Sequence, residues 1–174
     1  MEIRPLNEKE YKHKEYEFIY ETSGYYDLKI NDMSFQFVYK PFEKNQRRSF
    51  KDELLADWLE APVLYGAFVE DTLVGFIEGS MEAWNQRFRI SNILVTEGHR
   101  GMRIGSILIE HILDIAKNQN ARMVILETQS CNVPAIHCYQ RNGFKIIGFD
   151  THAYSNQDIE RHEICIEMGI ELHK

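Results

Sequence analysis

A segment that could bind an anion lies between an apolar run and an amphipathic stretch. Residues 90–95 are apolar enough to form a strand, and residues 104–115 repeat apolar side chains at spacings of three and four, which predicts a helix packed on a sheet. Residues 100–105 place two glycines and two arginines at the junction. The N–H groups and the positive dipole end at the start of a helix attract a phosphate or pyrophosphate. The alternative is an ordinary helix start with two surface arginines. The apolar repeat consists of Ile104, Ile107, Leu108, Ile112 and Ile115.

Two other phosphate-binding motifs are absent from the sequence. The pattern G-x-x-x-x-G-K-[ST] does not occur, which excludes the loop of the nucleotide triphosphatases. The dinucleotide-binding fingerprint needs a third glycine, and Met102 and Arg103 interrupt the required spacing. The segment therefore belongs to neither of these nucleotide-binding classes.

The composition predicts one globular domain covering residues 1–174. Hydrophobic residues make up 44% and charged residues 27% of the chain, as in ordinary globular proteins. No apolar run approaches the roughly eighteen residues that a membrane-spanning helix needs. The N-terminus lacks the basic and apolar regions of a secretory signal. We therefore expect a cytoplasmic protein without a membrane partner.

Charge and metal-ligand patterns limit the partners. The chain has 20 Lys+Arg and 27 Asp+Glu, a formal charge of −7, which argues against nucleic acid and favours a cationic small molecule. Three cysteines form no C-x-x-C pair, and seven histidines show no H-E-x-x-H spacing. The sequence therefore predicts neither a disulfide framework nor a metal site.

The elements that would position the segment predict an α/β fold with a mixed, mostly antiparallel sheet flanked by helices. Binding sites in such sheets lie at strand ends, so residues 100–105, 127–129 and 132–139 are expected to converge on one edge. The predicted strands cover residues 1–6, 35–40, 63–70, 73–82, 90–95, 123–129, 144–149 and 161–170, and the predicted helices cover residues 8–20, 49–60, 104–120 and 133–141.

These motifs resemble the GNAT superfamily of N-acetyltransferases, which use acetyl-coenzyme A (acetyl-CoA). The family signature Q/R-x-x-G-x-G/A corresponds to residues 100–105, with Arg103 at the position of the first glycine. The second signature, N-x-x-A-x-x-x-Y followed by G-F, is matched in full by Asn132, Ala135, Tyr139, Gly143 and Phe144. The two motifs occur in the order that the family shows.

A closer similarity is visible to the streptothricin acetyltransferase branch of this family. It rests on residues 126–129, 143–145 and 150–151, on Tyr154, and on Trp84-Asn85 before the central strand. Enzymes of that branch acetylate an amino group on the lysyl part of a cationic antibiotic. The resemblance therefore implies a small cationic amine as the acceptor.

The resemblance also implies where acetyl-CoA would bind. Backbone amides at the helix start and the neighbouring arginines would hold the pyrophosphate, and the pantetheine arm would lie beside the central strand like an added strand. Asn132 would bond this arm. The implied cosubstrate-binding residues are Leu94, Val95, Arg100, Gly101, Met102, Arg103, Ile104, Gly105, Ser106, Asn132, Ala135 and Tyr139.

Acetyl transfer needs a neutral amine, and the base is not obvious. A lysine-like amine has a pKa near 10.4, so only about one in two thousand is reactive at pH 7. Many family members carry a carboxylate on the central strand, where this chain has Ser91 and Asn92. Glu127 and Glu82 are the substitute candidates. Glu127 is preferred because the apolar run before it implies partial burial, which raises a carboxyl pKa. Either glutamate could instead bind the cationic substrate.

Tyr139 is the general acid that the resemblance implies, since the departing thiolate is better protonated. The alternative role for Tyr139 is packing on a short helix. A covalent intermediate on Cys138 would need an activating base, and direct attack in a ternary complex is favoured. The aromatic rings that could flank a cationic substrate, together with Glu127, are those of Trp84, Tyr25, Tyr26 and Tyr154. The alternative role of each ring is packing, and Tyr154 is the preferred candidate.

Three functions remain open at this point. The first is acetylation of a small cationic amine, and the second is acetylation of a protein lysine or N-terminus. The third is a coenzyme A-binding regulatory domain without catalysis, which the residues at positions 91, 92 and 103 motivate. Members of the family often form homodimers, although no residue here requires one.

Overall fold

Two compact units make up the chain, and each combines segments that are distant in sequence. The computed structural model describes residues 1–172. The first unit contains Met1–Phe18, Lys51–Leu126 and the end of the chain from Gly169, and the second contains Ile19–Phe50 and Glu127–Met168. The expectation of a single domain stays a prediction.

The described residues form strands, short helices and one long helix. No helix in this part of the chain is long and apolar enough to cross a membrane. In chain order the elements are β1 (Glu2–Pro5), α1 (Glu8–Tyr11), β2 (Glu15–Asn31), β3 (Ser34–Glu53), β4 (Val63–Val69), β5 (Thr72–Glu82), β6 (Arg87–Val95), a 3₁₀ turn (Glu97–His99), α2 (Ile104–Asn118), β7 (Met123–Gln129), α3 (Val133–Arg141), β8 (Lys145–Asp150), α4 (Asp158–Arg161) and β9 (Cys165–Glu171).

The sheet of the first unit places its strands in the order β1-β4-β5-β6-β7. The first three pairs in this order are antiparallel, and β6 pairs with β7 in parallel. Helix α2 packs against β4, β5 and β6. The predicted α/β fold with a mixed, mostly antiparallel sheet is therefore confirmed, and β6 contains the predicted central strand, residues 90–95.

Helix α2 lies where it was predicted, but its buried face differs from the predicted stripe. Ile107 and Ile115 belong to that stripe and are only half-buried. The buried side chains of the helix are Ile104, Leu108, Ile109, Ile112 and Ala116. This face points at the sheet and fixes the start of the helix at the end of β6.

The predicted helix over residues 8–20 is wrong beyond its first turn. Helix α1 is four residues long, and the extended strand β2 follows it. Phe18, Tyr20 and Thr22 are buried, and the glutamates beside them are exposed. This alternation has the period of two that belongs to a strand, and aromatic residues favour strands. The glutamates had suggested a helix.

The predicted helix over residues 49–60 is also wrong. Strand β3 continues to Glu53, and residues 54–60 form turns. Leu55 has a φ of 55°, which lies in the left-handed region and cannot continue a right-handed helix. Leu54 and Leu55 are buried all the same. The apolar residues that suggested a helix face are thus buried by a turn.

The second unit contains most of a β-hairpin and the C-terminal elements. Strands β2 and β3 pair with each other, and β8 is the neighbour of β9. Helix α3 has the predicted bounds. The predicted strand over residues 161–170 begins too early, because α4 ends at Arg161 and β9 starts at Cys165.

Candidate active site

The second half of β6 has a backbone edge without a strand partner. Strand β6 pairs with β5 from Arg87 to Val95, but its parallel register with β7 runs only from Arg87 to Arg89. Within residues 1–172, the β7 side of residues 90–95 is therefore not covered by a strand. Such an edge offers N–H and C=O groups to an extended ligand arm. Leu94 and Val95, which were both predicted to contact the cosubstrate, lie in this stretch.

A β-bulge explains why β6 parts from β7 at this point. Glu78 lies opposite Asn92, and the next residue, Gly79, lies opposite Ile90. Ser91 is therefore an extra residue in β6. A bulge bends and twists the strand that carries it, and this one begins just beyond the last residue that pairs with β7. The bulge also brings Ser91 and Asn92 to the same neighbour, as described below.

The loop between β6 and α2 follows the path that a glycine would favour. Arg103 is the N-cap residue of α2 and has φ 63° and ψ 8°. This left-handed conformation costs a residue with a Cβ about 1–2 kcal/mol. Gly101 also has a positive φ, 79°, and no atom lies within 4 Å of the position of an added Cβ. Arg103 therefore adopts a backbone conformation that glycine adopts without this cost.

Hydrogen bonds from β5 and β6 hold this loop. The N–H and hydroxyl of Thr96 both donate to the carbonyl of Val74, at 2.9 and 3.0 Å. Arg100 Nε donates to the carbonyl of Val95 at 3.1 Å. The N–H of Ile107 donates to the carbonyl of Arg103, which is the first intrahelical hydrogen bond of α2. The N–H groups of the residues just before Ile107 therefore lie at the start of the helix. This is the arrangement that favours an anion.

Glu78 is a buried carboxylate that was not predicted from the sequence. Its relative exposure is 0%. One oxygen, Oε1, accepts the N–H of Leu55 at 2.5 Å, and the other, Oε2, accepts the hydroxyl of Ser91 at 2.5 Å and the amide of Asn92 at 3.0 Å. A single charge within the apolar and small residues 73–80 was the available signal.

Glu82, one of the two predicted bases, is engaged in ion pairs. Its carboxylate accepts from Arg89 at 2.6 Å, from Asn85 at 2.9 Å and from Arg87 at 3.2 Å. Burial raises the pKa of Glu82, but the hydrogen bonds and the two arginine charges outweigh burial and hold the pKa below its ordinary value. A lowered pKa makes Glu82 a weaker base, and its carboxylate is already paired. Both features favour a structural role for Glu82 in the β5–β6 hairpin, and its catalytic role stays a prediction.

Trp84 lies at the opposite end of β6 from the loop. It belongs to the turn of residues 83–86 and is 84% exposed. Nine residues of β6 separate this turn from Thr96, which corresponds to about 30 Å of strand. The structure therefore does not bring Trp84 to the start of α2, and its predicted contact with substrate remains a prediction.

Helix α3, in the second unit, presents the residues of the second motif. Asn132 caps the helix, because its side-chain oxygen accepts the N–H of Ala135 at 3.3 Å. Tyr139 is buried, and its ring lies 6.2 Å from that of Phe144. Burial and the neighbouring Cys138 raise the pKa of Tyr139. A phenol with a raised pKa keeps its proton at neutral pH.

Glu127, the preferred base, is exposed rather than partly buried, so the reason given for preferring it is wrong. The apolar run before it ends at Leu126, and the next side chain turns outward. The Cys165 thiol lies 3.8 Å from a Glu127 oxygen and also bonds the Tyr154 side chain. Burial raises the pKa of Cys165 to about 11; the Tyr154 hydrogen bond opposes part of this rise, and the Glu127 charge adds a smaller increase. Two of the three predicted substrate-binding residues are thus neighbours.

The described residues contain no group of three or more histidine, cysteine or acidic side chains that could hold a metal ion. The three cysteines are free thiols.

Comparison with known proteins identifies the family. The model of the acetyltransferase (GNAT) family matches residues 26–144. The streptothricin acetyltransferase of Escherichia coli is 31% identical over 132 residues, which are 76% of this chain and 74% of that protein. The chain belongs to the GNAT family of acetyltransferases.

Two further comparisons concern length and fold. The streptothricin acetyltransferase of Streptomyces lavendulae is 41% identical over 97 residues, and the chain spans about half of that relative, 51%. The crystal structure of nourseothricin acetyltransferase superposes with a TM-score of 0.81 at 24% identity, covering 98% of this chain and 97% of that one. The second similarity supports the fold.

Proposed function

We propose that the protein transfers the acetyl group of acetyl-CoA to a primary amine of a small cationic acceptor, a streptothricin-like lysyl amine. The observation that carries this proposal is the open edge of β6, which runs from the bulge at Ser91 to the loop that starts α2. The pantetheine arm of acetyl-CoA carries amides and continues into a pyrophosphate. Its amides suit the open strand edge, and its pyrophosphate suits the helix start that follows. The names of the two streptothricin acetyltransferase relatives point to the acceptor.

Residues at the loop end of this edge suit the pyrophosphate and the arm of acetyl-CoA. The amides of residues 101–106, with Arg100 and Arg103, would bind the pyrophosphate. Leu94 and Val95 would pair with the pantetheine arm, and Asn132 would bond it as well. Bound acetyl-CoA supplies an activated acetyl thioester.

The residues of the chain would then act on protons and orientation. Tyr139 keeps its proton at neutral pH, because burial raises its pKa, and would donate that proton to the departing sulfur. Glu127 and Tyr154, linked through Cys165, would contact the cationic acceptor. An exposed carboxylate beside an aromatic ring is a suitable environment for an ammonium group. The amine attacks directly, in a ternary complex.

The test is release of coenzyme A thiol from acetyl-CoA with streptothricin, and in parallel with lysine, polyamines and aminoglycosides. Turnover with streptothricin that exceeds turnover with free lysine by at least about tenfold is expected, since several contacts worth about 1 kcal/mol distinguish the two acceptors. Equal turnover with all amines would refute the proposed acceptor.

A second candidate function has a specific observation in its favour. A putative ribosomal protein bS18 alanine N-acetyltransferase of Bacillus subtilis is 26% identical over 108 residues, 61% of this chain and 70% of that protein. The same assay with peptides that carry a free N-terminal alanine or an internal lysine tests it. Turnover with peptides alone would move the acceptor to a protein. Binding of acetyl-CoA without any turnover would support the regulatory domain. Cytoplasmic localisation and a homodimer stay predictions.

A further inference from the structure

Among the described residues, the buried carboxylate of Glu78 accepts hydrogen bonds only from neutral donors. They come from β6, through Ser91 and Asn92, and from the turn after β3, through the N–H of Leu55. The other carboxylate of β5, Glu82, is paired with two arginines instead. Burying a carboxylate with neutral partners alone costs free energy.

Because of the bulge, a single side chain, that of Ser91, lies between the Glu78 carboxylate and the surface of the unit. Consecutive strand residues normally point to opposite faces, but Ser91 and Asn92 both reach Oε2 of Glu78 because Ser91 is the extra residue. Glu78 and Asn92 are buried, whereas Ser91 is half-exposed. The Ser91 hydroxyl therefore connects the surface with the carboxylate.

The position of Ser91 along β6 matches the reacting end of an arm bound to the open edge. Ser91 lies four residues before Val95, which is about 13 Å along a strand. An arm that runs from the start of α2 along this edge places its far end near the bulge. Strand β6 itself carries no carboxylate, and Glu78 on the neighbouring strand β5 accepts the hydrogen bond of the Ser91 hydroxyl.

We propose that Glu78 accepts the proton of the acceptor amine through the hydroxyl of Ser91. This inference deepens the proposed acetyl transfer and rests on it. Ser91 is the residue that touches the amine, and Glu78 acts through Ser91, with Asn92 and Leu55 holding the carboxylate in place.

The amine nitrogen loses two protons during the transfer. An ammonium proton passes to Ser91 Oγ while the hydroxyl proton of Ser91 passes to Glu78 Oε2. The nitrogen lone pair then attacks the thioester carbon, the N–C bond forms and the C–S bond breaks. The sulfur takes a proton from Tyr139, and the second proton that the nitrogen loses replaces it. Glu78 releases its proton to water, so one proton leaves per turnover.

The test compares kcat/KM for the amine from pH 6.5 to pH 10 in the wild type, Glu78→Gln and Ser91→Ala. A lost proton acceptor lowers the rate about 100-fold at neutral pH. The deficit shrinks about tenfold per pH unit as the amine deprotonates by itself, so it disappears near pH 9, below the amine pKa of about 10.4. Asp114→Asn, which removes an exposed carboxylate from α2, is the control and keeps the wild-type profile.

A rescue variant separates this role from a structural one. Glu78→Gln combined with Asn92→Asp exchanges the amide and the carboxylate across the same strand pair and leaves an acid beside Ser91. We expect kcat/KM of this double variant at neutral pH to be at least tenfold higher than that of Glu78→Gln alone. Ser91→Ala keeps the other two donors of Glu78, so it serves where Glu78→Gln does not fold. Acetyl-CoA binding, measured by titration, stays within about twofold of wild type in each folded variant.

Loss of rate that is the same at all pH values, or full activity of Ser91→Ala at neutral pH, overturns the inference and leaves acetyl transfer standing. A wild-type protein without turnover on any amine refutes the proposed function, and the inference falls with it. The two failures are distinguishable because the second involves no variant.

Discussion

The carbonyl oxygen of Arg103 accepts the first hydrogen bond of α2 from the N–H of Ile107, at 3.1 Å, while Arg103 itself is left-handed with φ 63°. The N-cap of the helix that starts the anion site is therefore a residue in a conformation that suits glycine. Its charge and its backbone have opposite effects, since the charge attracts an anion and the Cβ costs stability.

Arg103→Gly is expected to raise the free energy of unfolding by up to about 1 kcal/mol, because it relieves the left-handed strain, less the entropy that glycine adds to the unfolded chain. The affinity for acetyl-CoA is expected to fall about threefold with the lost charge. Arg103→Ala is the matched control, since it removes the charge and keeps the strain. Urea denaturation and acetyl-CoA titration measure the two effects. Equal free energies of unfolding for Arg103→Gly and Arg103→Ala would contradict the inference that Arg103 has a strained backbone.

Gly101→Ala should lower stability by about 1 kcal/mol and raise the KM for acetyl-CoA several-fold. The space around the new Cβ is open, so the cost comes from the φ of 79° alone. Gly98→Ala, in the same loop and equally open but without a positive φ, is the control and should be neutral. Thermal unfolding and initial rates are the measurements. A neutral Gly101→Ala would show that the loop can change its path.

Tyr139→Phe should lower kcat about 10- to 100-fold with little change in either KM, since a proton donor acts in the transition state. Because burial raises the pKa of Tyr139, the wild type should show no alkaline loss of this donor up to pH 9. Tyr65→Phe, on β4, removes a hydroxyl that has no proposed role and is the control. An unchanged kcat in Tyr139→Phe would leave Tyr139 as a packing residue.

Glu82→Gln should destabilise the protein by about 1–2 kcal/mol at pH 7 through loss of charged hydrogen bonds. The folded-state pKa of Glu82 is lowered, so its contribution is present above the unfolded pKa of about 4.3 and disappears as the pH falls through the folded value. The wild type and the variant should therefore converge in acid. Stability curves from pH 3 to pH 8 measure this, with exposed Glu2→Gln as control. A loss of kcat at unchanged stability would instead support Glu82 as the base.

Glu127→Gln should raise the KM for a cationic acceptor about fivefold and leave kcat and the KM for acetyl-CoA unchanged. An exposed charge contact is worth about 1 kcal/mol at most, and the effect should shrink at high salt. Glu160→Gln removes an exposed carboxylate of the same unit and should change nothing. A 100-fold loss of kcat with unchanged KM would restore Glu127 as the base.

Local signals were sufficient for the elements that hold the two motifs. Residues 133–141 were predicted as a helix with Asn132 as its cap, and the structure shows both. The buried strand before Glu127 and the long helix after Gly101 were also recognised. These features depend on neighbours within a turn of the chain, namely caps, apolar periodicity and an uninterrupted apolar run.

Local signals failed where a segment is stabilised by distant partners. Residues 15–20 and 49–53 contain glutamate and lysine, which favour helices in isolation, but they belong to two paired strands. The outward turn of Glu127 also depends on β9, through Cys165. In these places pairing and burial outweigh an intrinsic preference of a few tenths of a kcal/mol per residue.

The sequence by itself determined the family, the location of the anion-binding helix start and the motif of α3, because each is a run of neighbouring residues. Only the tertiary structure decided that Ser91 is an extra residue in β6, that Arg103 is left-handed, and that Glu78 is the buried carboxylate. Glu78 and Ser91 are 13 residues apart, and their contact exists because the register of two strands shifts by one residue. Register depends on all the pairs along both strands at once, which no local pattern contains.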